Sequence, residues 1–304
     1  VIEARHLSKT YGSTKAVNDL SFVVEAGVVT GFLGPNGAGK STTLRLILGL
    51  DRPTAGTVTI DGRSFHDLRW PLREVGALLE AKAVHPGRSA RNHLLALAQS
   101  NSIPTARVDE VLEIVGLSAV ARRKVGKFSL GMSQRLGIAG ALLGDPGVLL
   151  FDEPINGLDP EGILWVRTLL RSLADEGRTI FFSSHLMSEM AQTATNLVVI
   201  GRGSLIADTS VADFIASNTE ATVLVRSPAA EQLAEAIRAA GGTASLQGDG
   251  ALLVTKLDAA EIGDAALAAG VALHELTPQS ASLEDVFMEM TAGASEFHAG
   301  SEPR

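Results

Sequence analysis

The chain has 304 residues, 45% of them hydrophobic and 20% charged, with a formal net charge of −8 and no cysteine. That composition suits one large or two modest globular domains and excludes disulfide staples, thiolate metal sites and wholesale disorder. The acidic balance argues against a nucleic-acid partner, because the only tight basic cluster, Arg122-Arg123-Lys124 with Lys127, reads as a solvated surface face.

No apolar run approaches the roughly 18 residues a membrane-crossing helix needs, so no direct membrane span is expected. Val1-Ile2-Glu3-Ala4-Arg5 lacks the basic-then-apolar pattern of a signal peptide. Any service to a membrane is expected to run through a partner.

In chain order, Leu20–Glu25 and Val28–Leu33 read as strands, and Lys40–Leu50 as a helix opening straight after a glycine-rich turn. Gly56–Asp61 reads as a strand closed by Asp-Gly. From about residue 80 to 145 the composition turns helical, with helices predicted at Ser89–Ser100, Arg107–Val115 and Met132–Leu143. Strand character returns at Val148–Asp152 and Thr179–Ser183, with a helix over Pro160–Glu176 between them, and Leu197–Ile200 with Ser204–Asp208 predicts a closing hairpin. Strands alternating with helices imply an α/β core with a mainly parallel sheet.

After about Asn218 the chain becomes alanine-rich with short strands. The predicted order is strand 221–226, helix 229–240, strand 243–247, strand 251–255, helix 258–269 and strand 271–276. That is βαββαβ, the ferredoxin-like order. A last helix, Ser282–Met290, and an unstructured tail from Ala292 complete the expectation, giving domains over 1–217 and 218–291.

Gly34-Pro35-Asn36-Gly37-Ala38-Gly39-Lys40-Ser41-Thr42 matches G-x-x-x-x-G-K-[ST]. Glycines let consecutive N–H groups converge on one anion, and the helix that follows adds its positive end. Lys40 can reach the β- and γ-phosphates of a nucleotide, and the Ser41 hydroxyl can ligate Mg²⁺. The apolar strand leading in and the helix leading out supply the context this motif needs. A second signal is Val148-Leu149-Leu150-Phe151-Asp152-Glu153, an apolar strand ending in two carboxylates. Strand ends of such sheets face the ligand crevice. Asp152 is therefore placed to hold Mg²⁺, and Glu153 to orient an attacking water and take its proton.

With Phe128-Ser129-Leu130-Gly131-Met132-Ser133-Gln134-Arg135 about twenty residues before the acidic strand, the sequence resembles the ATP-binding cassette family over residues 1–217. The stretch is similar to the family's signature motif, usually L-S-G-G-Q. It departs from that motif at Phe128, Leu130 and Met132 but keeps Ser129 and Gly131. The resemblance implies a P-loop core with an antiparallel N-terminal β portion, a helical insertion, and a signature that acts in trans on ATP held by a second copy or a paralogous ATP-binding subunit. It also implies that Asp159, in Asn156-Gly157-Leu158-Asp159, belongs to a loop crossing the dimer interface. His185 would contact the γ-phosphate, and Tyr11, the only tyrosine, would stack on adenine.

Glu80 stands where most family members carry a metal-sensing glutamine. With Ser282-Leu283-Glu284-Asp285-Val286-Phe287 it makes the chain similar to the bacterial drug- and antibiotic-export branch, of which bacitracin- and daunorubicin-type exporters are the nearest comparison. The implied protein is a cytoplasmic ATPase bound peripherally to the cell membrane, driving separate integral membrane permease subunits. The alternatives are a soluble ATPase of the same family acting on ribosomes or in DNA repair, and a GTPase or kinase sharing the phosphate loop. A single phosphate loop, the absence of heptad runs and the net negative charge weigh against the first. The Ser129–Gly131 element and His185, which nothing in the second requires, weigh against it.

Overall fold

The computed structural model describes residues 1–81, 83–217 and 222–279; the expected helix at Ser282–Met290 and the tail lie outside the described residues. Two compact units divide the chain, one over Val1–Val211 and one beginning at Ala212.

The first unit opens with strands β1 (Ile2–Tyr11), β2 (Thr14–Val24) and β3 (Val29–Leu33), helix α1 (Lys40–Ile47) and strand β4 (Ala55–Ile60). A short helix α2 (Pro71–Glu74) runs into β5 (Val75–Leu78). The helical insertion follows as α3 (Ala90–Ser100), α4 (Ala106–Ile114) and α5 (Leu130–Leu142). The chain then returns through β6 (Val148–Asp152), α6 (Pro160–Asp175), β7 (Thr179–Ser184), α7 (Met187–Thr193), β8 (Asn196–Gly201) and β9 (Ser204–Ser210), and α8 (Val211–Ser217) begins the second unit.

The strands form an antiparallel sheet in the order β2-β1-β4 and a six-stranded sheet in the order β5-β6-β7-β3-β8-β9. The larger sheet is parallel from β5 to β8, and β9 pairs antiparallel at its edge. β3 and β7 are buried along their whole length, which explains why neither alternates polar with apolar residues. Phe22 of β2 meets Phe32 of β3 and Phe181 of β7, with ring centroids 6.0 and 5.6 Å away and Phe32 and Phe181 4.9 Å apart. These rings join the two sheets, and Leu44 and Ile47 of α1 complete the same core. The phosphate-loop helix is therefore anchored in the core that joins the two sheets.

α1 ends at Ile47 rather than Leu50, because Gly49 takes φ +62° just past the cap and closes the helix. β1 was not foreseen from the sequence, and β2 begins at Thr14 rather than at the expected Leu20. Register shifts between Ala4 and Leu7 and between Leu7 and Lys9 break the two-residue alternation that would have marked them.

The second unit contains β10 (Thr222–Arg226), α9 (Ala230–Ala239), β11 (Thr243–Leu246), β12 (Leu252–Thr255), α10 (Ala259–Ala268) and β13 (Glu275–Gln279). Its antiparallel sheet has the order β11-β12-β10-β13, the ferredoxin-like arrangement of βαββαβ. α10 starts with a capping box between Asp258 and Glu261. The last strand begins at Glu275, not Val271, because Val271 N–H still closes α10 onto the Ala266 carbonyl. Pro278 lies in that strand and is tolerated because β13 is an edge.

Candidate functional site

The parallel sheet brings three segments to one end. β3 runs into the phosphate loop, β6 ends in Asp152 and Glu153, and β7 ends before His185. β7 lies between the other two, with Asp152 opposite Ser183 and Leu33 opposite Ser184, so the three carboxyl ends are level. Sequence-distant groups thus meet at one edge because strand order places them there.

Helix α1 starts at Gly39, with φ +103° and no side-chain cap, so the first-turn N–H groups are not claimed by a cap side chain. A Cβ at Gly39 would stand 2.4 Å from the Ala16 carbonyl oxygen, and one at Gly34 would stand 2.6 Å from that of Ile200. Glycine is therefore required at both positions. A cavity of about 200 Å³ opens here, lined by Ala16, Asn36, Gly37, Gly39, Lys40, Ser41, Thr42 and Glu153. Ala38 is buried, its N–H on the Pro35 carbonyl and its carbonyl accepting from Gly203 N–H.

Lys40 is buried, and its ammonium donates to the carbonyls of Gly34 at 2.6 Å and Pro35 at 3.2 Å. Burial pushes its pKa below the usual lysine value, while the nearby Glu153 and Asp152 carboxylates oppose the fall. A buried cation on neutral carbonyls is incompletely compensated, and a polyanion entering the cavity would complete the pairing.

Glu153 is held at its backbone N–H, its backbone carbonyl and Oε2. It adopts φ +50°, a left-handed backbone that costs a non-glycine residue about 1–3 kcal/mol and needs external support. Its N–H donates to Ser183 Oγ at 3.0 Å, and its carbonyl accepts from Gln134 Nε2 at 2.7 Å. Its Oε2 lies 2.7 Å from His185 Nδ1 and also accepts from Asn156 Nδ2. The Ser183 hydroxyl in turn donates to Asp152 Oδ1, so one serine ties both carboxylates to β7.

The strand ends bring Lys40, Ser41, Asp152, Glu153 and His185 together. Glu80 sits exposed just past β5 and does not line the cavity. Ser129 is the N-cap of α5, its hydroxyl accepting Met132 N–H at 3.2 Å, and Asp159 caps α6 by accepting Gly162 N–H at 2.9 Å. Gly131 faces the Gly157–Leu158 turn, with a built Cβ 3.3 Å from Leu158 Cδ2. Tyr11 stands at the β1–β2 hairpin, 46% exposed, with its hydroxyl on Asp51 Oδ2 at 2.8 Å and Lys9 Nζ 4.9 Å from its ring centre. Ser41 and Asp152 fit the sparse oxygen set of an Mg²⁺ ion that takes its remaining ligands from phosphate and water. Among the described residues no three His, Cys, Asp or Glu side chains form a ready metal cage.

Sequence reasoning missed Ser183, Asn156, Gln134 and Asp51 as parts of this arrangement. Gln134 and Asn156 lay inside stretches already singled out, whereas nothing in the sequence ties Asp51 to Tyr11 forty residues away.

A family model described as ABC transporter matches residues 17–156, and a model for a domain of unknown function (DUF8746) matches residues 221–284. The bacitracin transport ATP-binding protein BcrA of Bacillus licheniformis is 47% identical over 209 residues, 68% of this chain and 68% of that protein. The Nod factor export ATP-binding protein I of Burkholderia lata is 36% identical over 298 residues, covering 95% and 96% of the two chains. The dimeric post-hydrolysis structure of the ATP-binding cassette MJ0796, bound to ADP and Pi, superposes with a TM-score of 0.64 at 26% identity, over 69% of this chain and 99% of that one. No helix among the described residues is long and apolar enough to cross a membrane. With a phosphate loop, a carboxylate pair and a histidine converging at one sheet edge, and with these relatives, the chain belongs to the ABC transporter family as an ATP-binding protein whose chemistry is ATP hydrolysis.

Proposed function

We propose that the chain works as one half of a head-to-tail dimer that hydrolyses ATP at the cytoplasmic face of the cell membrane and drives a separate permease exporting an antibiotic-like or similar amphipathic compound. The observation that carries the catalytic part is the meeting of Lys40, Asp152, Glu153 and His185 at the level ends of β3, β6 and β7. Export is supported by relatives named for transport of bacitracin, lantibiotic and Nod factor. The same names favour a transporter over a soluble ribosome- or DNA-acting ATPase.

In this reading ATP lies with its phosphates over the first turn of α1 and its adenine on Tyr11. Gly34, Asn36, Gly37, Ala38, Gly39 and Thr42 shape the loop. Lys40 leaves the Gly34 and Pro35 carbonyls for the β- and γ-phosphates, gaining a charged partner for a buried ammonium. Mg²⁺, held by Ser41 and Asp152 with Glu80 brought in from the loop after β5, would supply charge neutralisation on the phosphate oxygens. The second copy's Ser129 and Gly131 close over the γ-phosphate, and Asp159 fixes the loop that meets them. His185 turns from Glu153 toward the γ-phosphate, which frees the carboxylate. Glu153 then takes a proton as the water oxygen bonds to the γ-phosphorus and the bond to ADP breaks. Loss of the shared γ-phosphate weakens the dimer, and that differential affinity is what a permease can use.

Glu153→Gln tests this directly. Turnover should fall about 10²–10⁴-fold while ATP affinity stays within about twofold, and light scattering should find an ATP-bound dimer that copurifies with a polytopic membrane protein. Wild-type turnover in the variant would remove Glu153 from its role. Copurification of ribosomal or repair proteins in place of a permease would favour the soluble reading.

A further inference from the structure

One buried polar side chain has no place in the chemistry above. Gln134 lies on α5, one turn beyond Ser129, and is 4% exposed. Its Nε2 donates to the Glu153 backbone carbonyl at 2.7 Å. The acceptor is a carbonyl, so the amide nitrogen must face it and the orientation of the side chain is fixed by chemistry. The carbonyl belongs to a residue with a left-handed backbone whose carboxylate is the proposed base.

A second contact joins the same two segments. The Leu130 side chain lies over Gly157, where an added Cβ would stand 2.1 Å from Leu130 Cδ2. Gly157 itself takes φ +73°, so both space and backbone demand glycine there. The leucine that departs from the usual signature is thus accommodated by a glycine two residues before Asp159. Behind this contact α5 is fixed by Arg135, whose guanidinium lies 4.4 Å from the Trp165 ring centre and donates to the Val115 carbonyl. The start of α5 and the segment Glu153–Leu158 are therefore packed directly against each other.

We infer that Gln134 is a positioning residue that couples the signature turn of each chain to that chain's own Glu153, so that engagement of one ATP by Ser129 sets the base at the other ATP. The inference rests on the proposed trans action of the signature. Through α5, a shift of Ser129 and Gly131 on a second copy's γ-phosphate displaces the Gln134 amide, and with it the Glu153 carbonyl. The peptide plane that orients the carboxylate turns in response, and the two sites of the dimer fire together rather than independently.

Gln134→Met keeps length and volume but removes the donor. In the full chain, ATP affinity of the lone phosphate-loop site should stay within about twofold, kcat should fall at least about tenfold, and the Hill coefficient for ATP should drop toward one. A purely structural role would not lower the Hill coefficient of a folded, ATP-binding protein. Gln134→Glu gives an independent reading, because only a protonated carboxyl can donate to the carbonyl. Its turnover relative to wild type should rise as pH is lowered from about 8 to about 6. Wild-type kcat and Hill coefficient in Gln134→Met would overturn the coupling, as would a flat activity ratio across pH in Gln134→Glu should the methionine variant fail to fold. A wild-type chain that neither binds nor hydrolyses ATP would instead refute the proposed function.

Discussion

Helix α1 begins at Gly39, which offers its first turn no side chain, whereas α5 begins at Ser129 and α6 at Asp159, each of which closes its own helix by accepting an N–H three residues on. All three starts lie in stretches that the sequence tied to the nucleotide or to the dimer interface that encloses it. The difference is in what each has left to give. The phosphate loop keeps its N–H groups and a buried ammonium available to an anion. Ser129 has spent a lone pair on Met132 but retains its hydroxyl hydrogen, so it can cap and donate at once. Asp159 has only acceptors, and its carboxylate is engaged with Gly162. In the proposed reading, phosphate recognition is thus ready within one chain, while the signature side contributes one donor and a close approach, and Asp159 contributes a fixed loop.

Substitutions can break this contrast at either end. Lys40→Ala should have the largest effect, lowering ATP affinity of the lone chain about a hundredfold or more by calorimetry, since it removes the only buried cation among the described residues of the cavity lining. Unchanged affinity would refute the phosphate-loop assignment. Ser129→Asp comes next. Aspartate caps as well as serine, so thermal stability should hold, but the donor is gone and a carboxylate faces the γ-phosphate. Turnover should fall about a hundredfold while single-chain ATP binding is unchanged; weakened binding in the lone chain would mean that the signature acts in cis.

The smallest effect is expected at Asp51, which ties down the Tyr11 hydroxyl. Asp51→Asn should lower ATP affinity only a few-fold, because adenine stacking needs the ring's face and not its tether. The Arg45 guanidinium, and then the Tyr11 hydroxyl, hold the Asp51 carboxyl below its usual value. A folded pKa below the unfolded one means that the tie is present above about pH 3.8 and is lost only as pH falls through the folded value. Between about pH 6 and 8 the affinity difference between Asp51→Asn and wild type should therefore stay constant. A difference that varied over that range would locate the titration elsewhere.

The same contrast explains what was legible in the sequence. β6 could be read to the residue because four apolar positions end abruptly in two carboxylates, and the phosphate loop because its glycines have steric reasons independent of context. β1 was hidden by its bulges, and the start of β13 by the C-terminal closure of α10 and by Pro278. At the site, Lys40, Asp152 and Glu153 were picked out by their own motifs, and His185 only by the family resemblance. The groups that hold them were not. Ser183 and Gln134 act through ordinary hydrogen bonds to backbone or carboxylate, and only the pairing of β6 with β7 and the packing of α5 reveal their partners.

The trans reading of the signature is tested most directly by mixing two defective chains. One carries Ser129→Asp with Glu153→Gln, so it binds ATP without hydrolysing it but has lost its signature donor. The other carries Lys40→Ala, so it cannot hold ATP but keeps Ser129. Each alone should remain monomeric in ATP by sedimentation, and an equimolar mixture should form a one-to-one heterodimer only when ATP is present. A mixture that stays monomeric while the first chain is saturated with ATP would contradict the account.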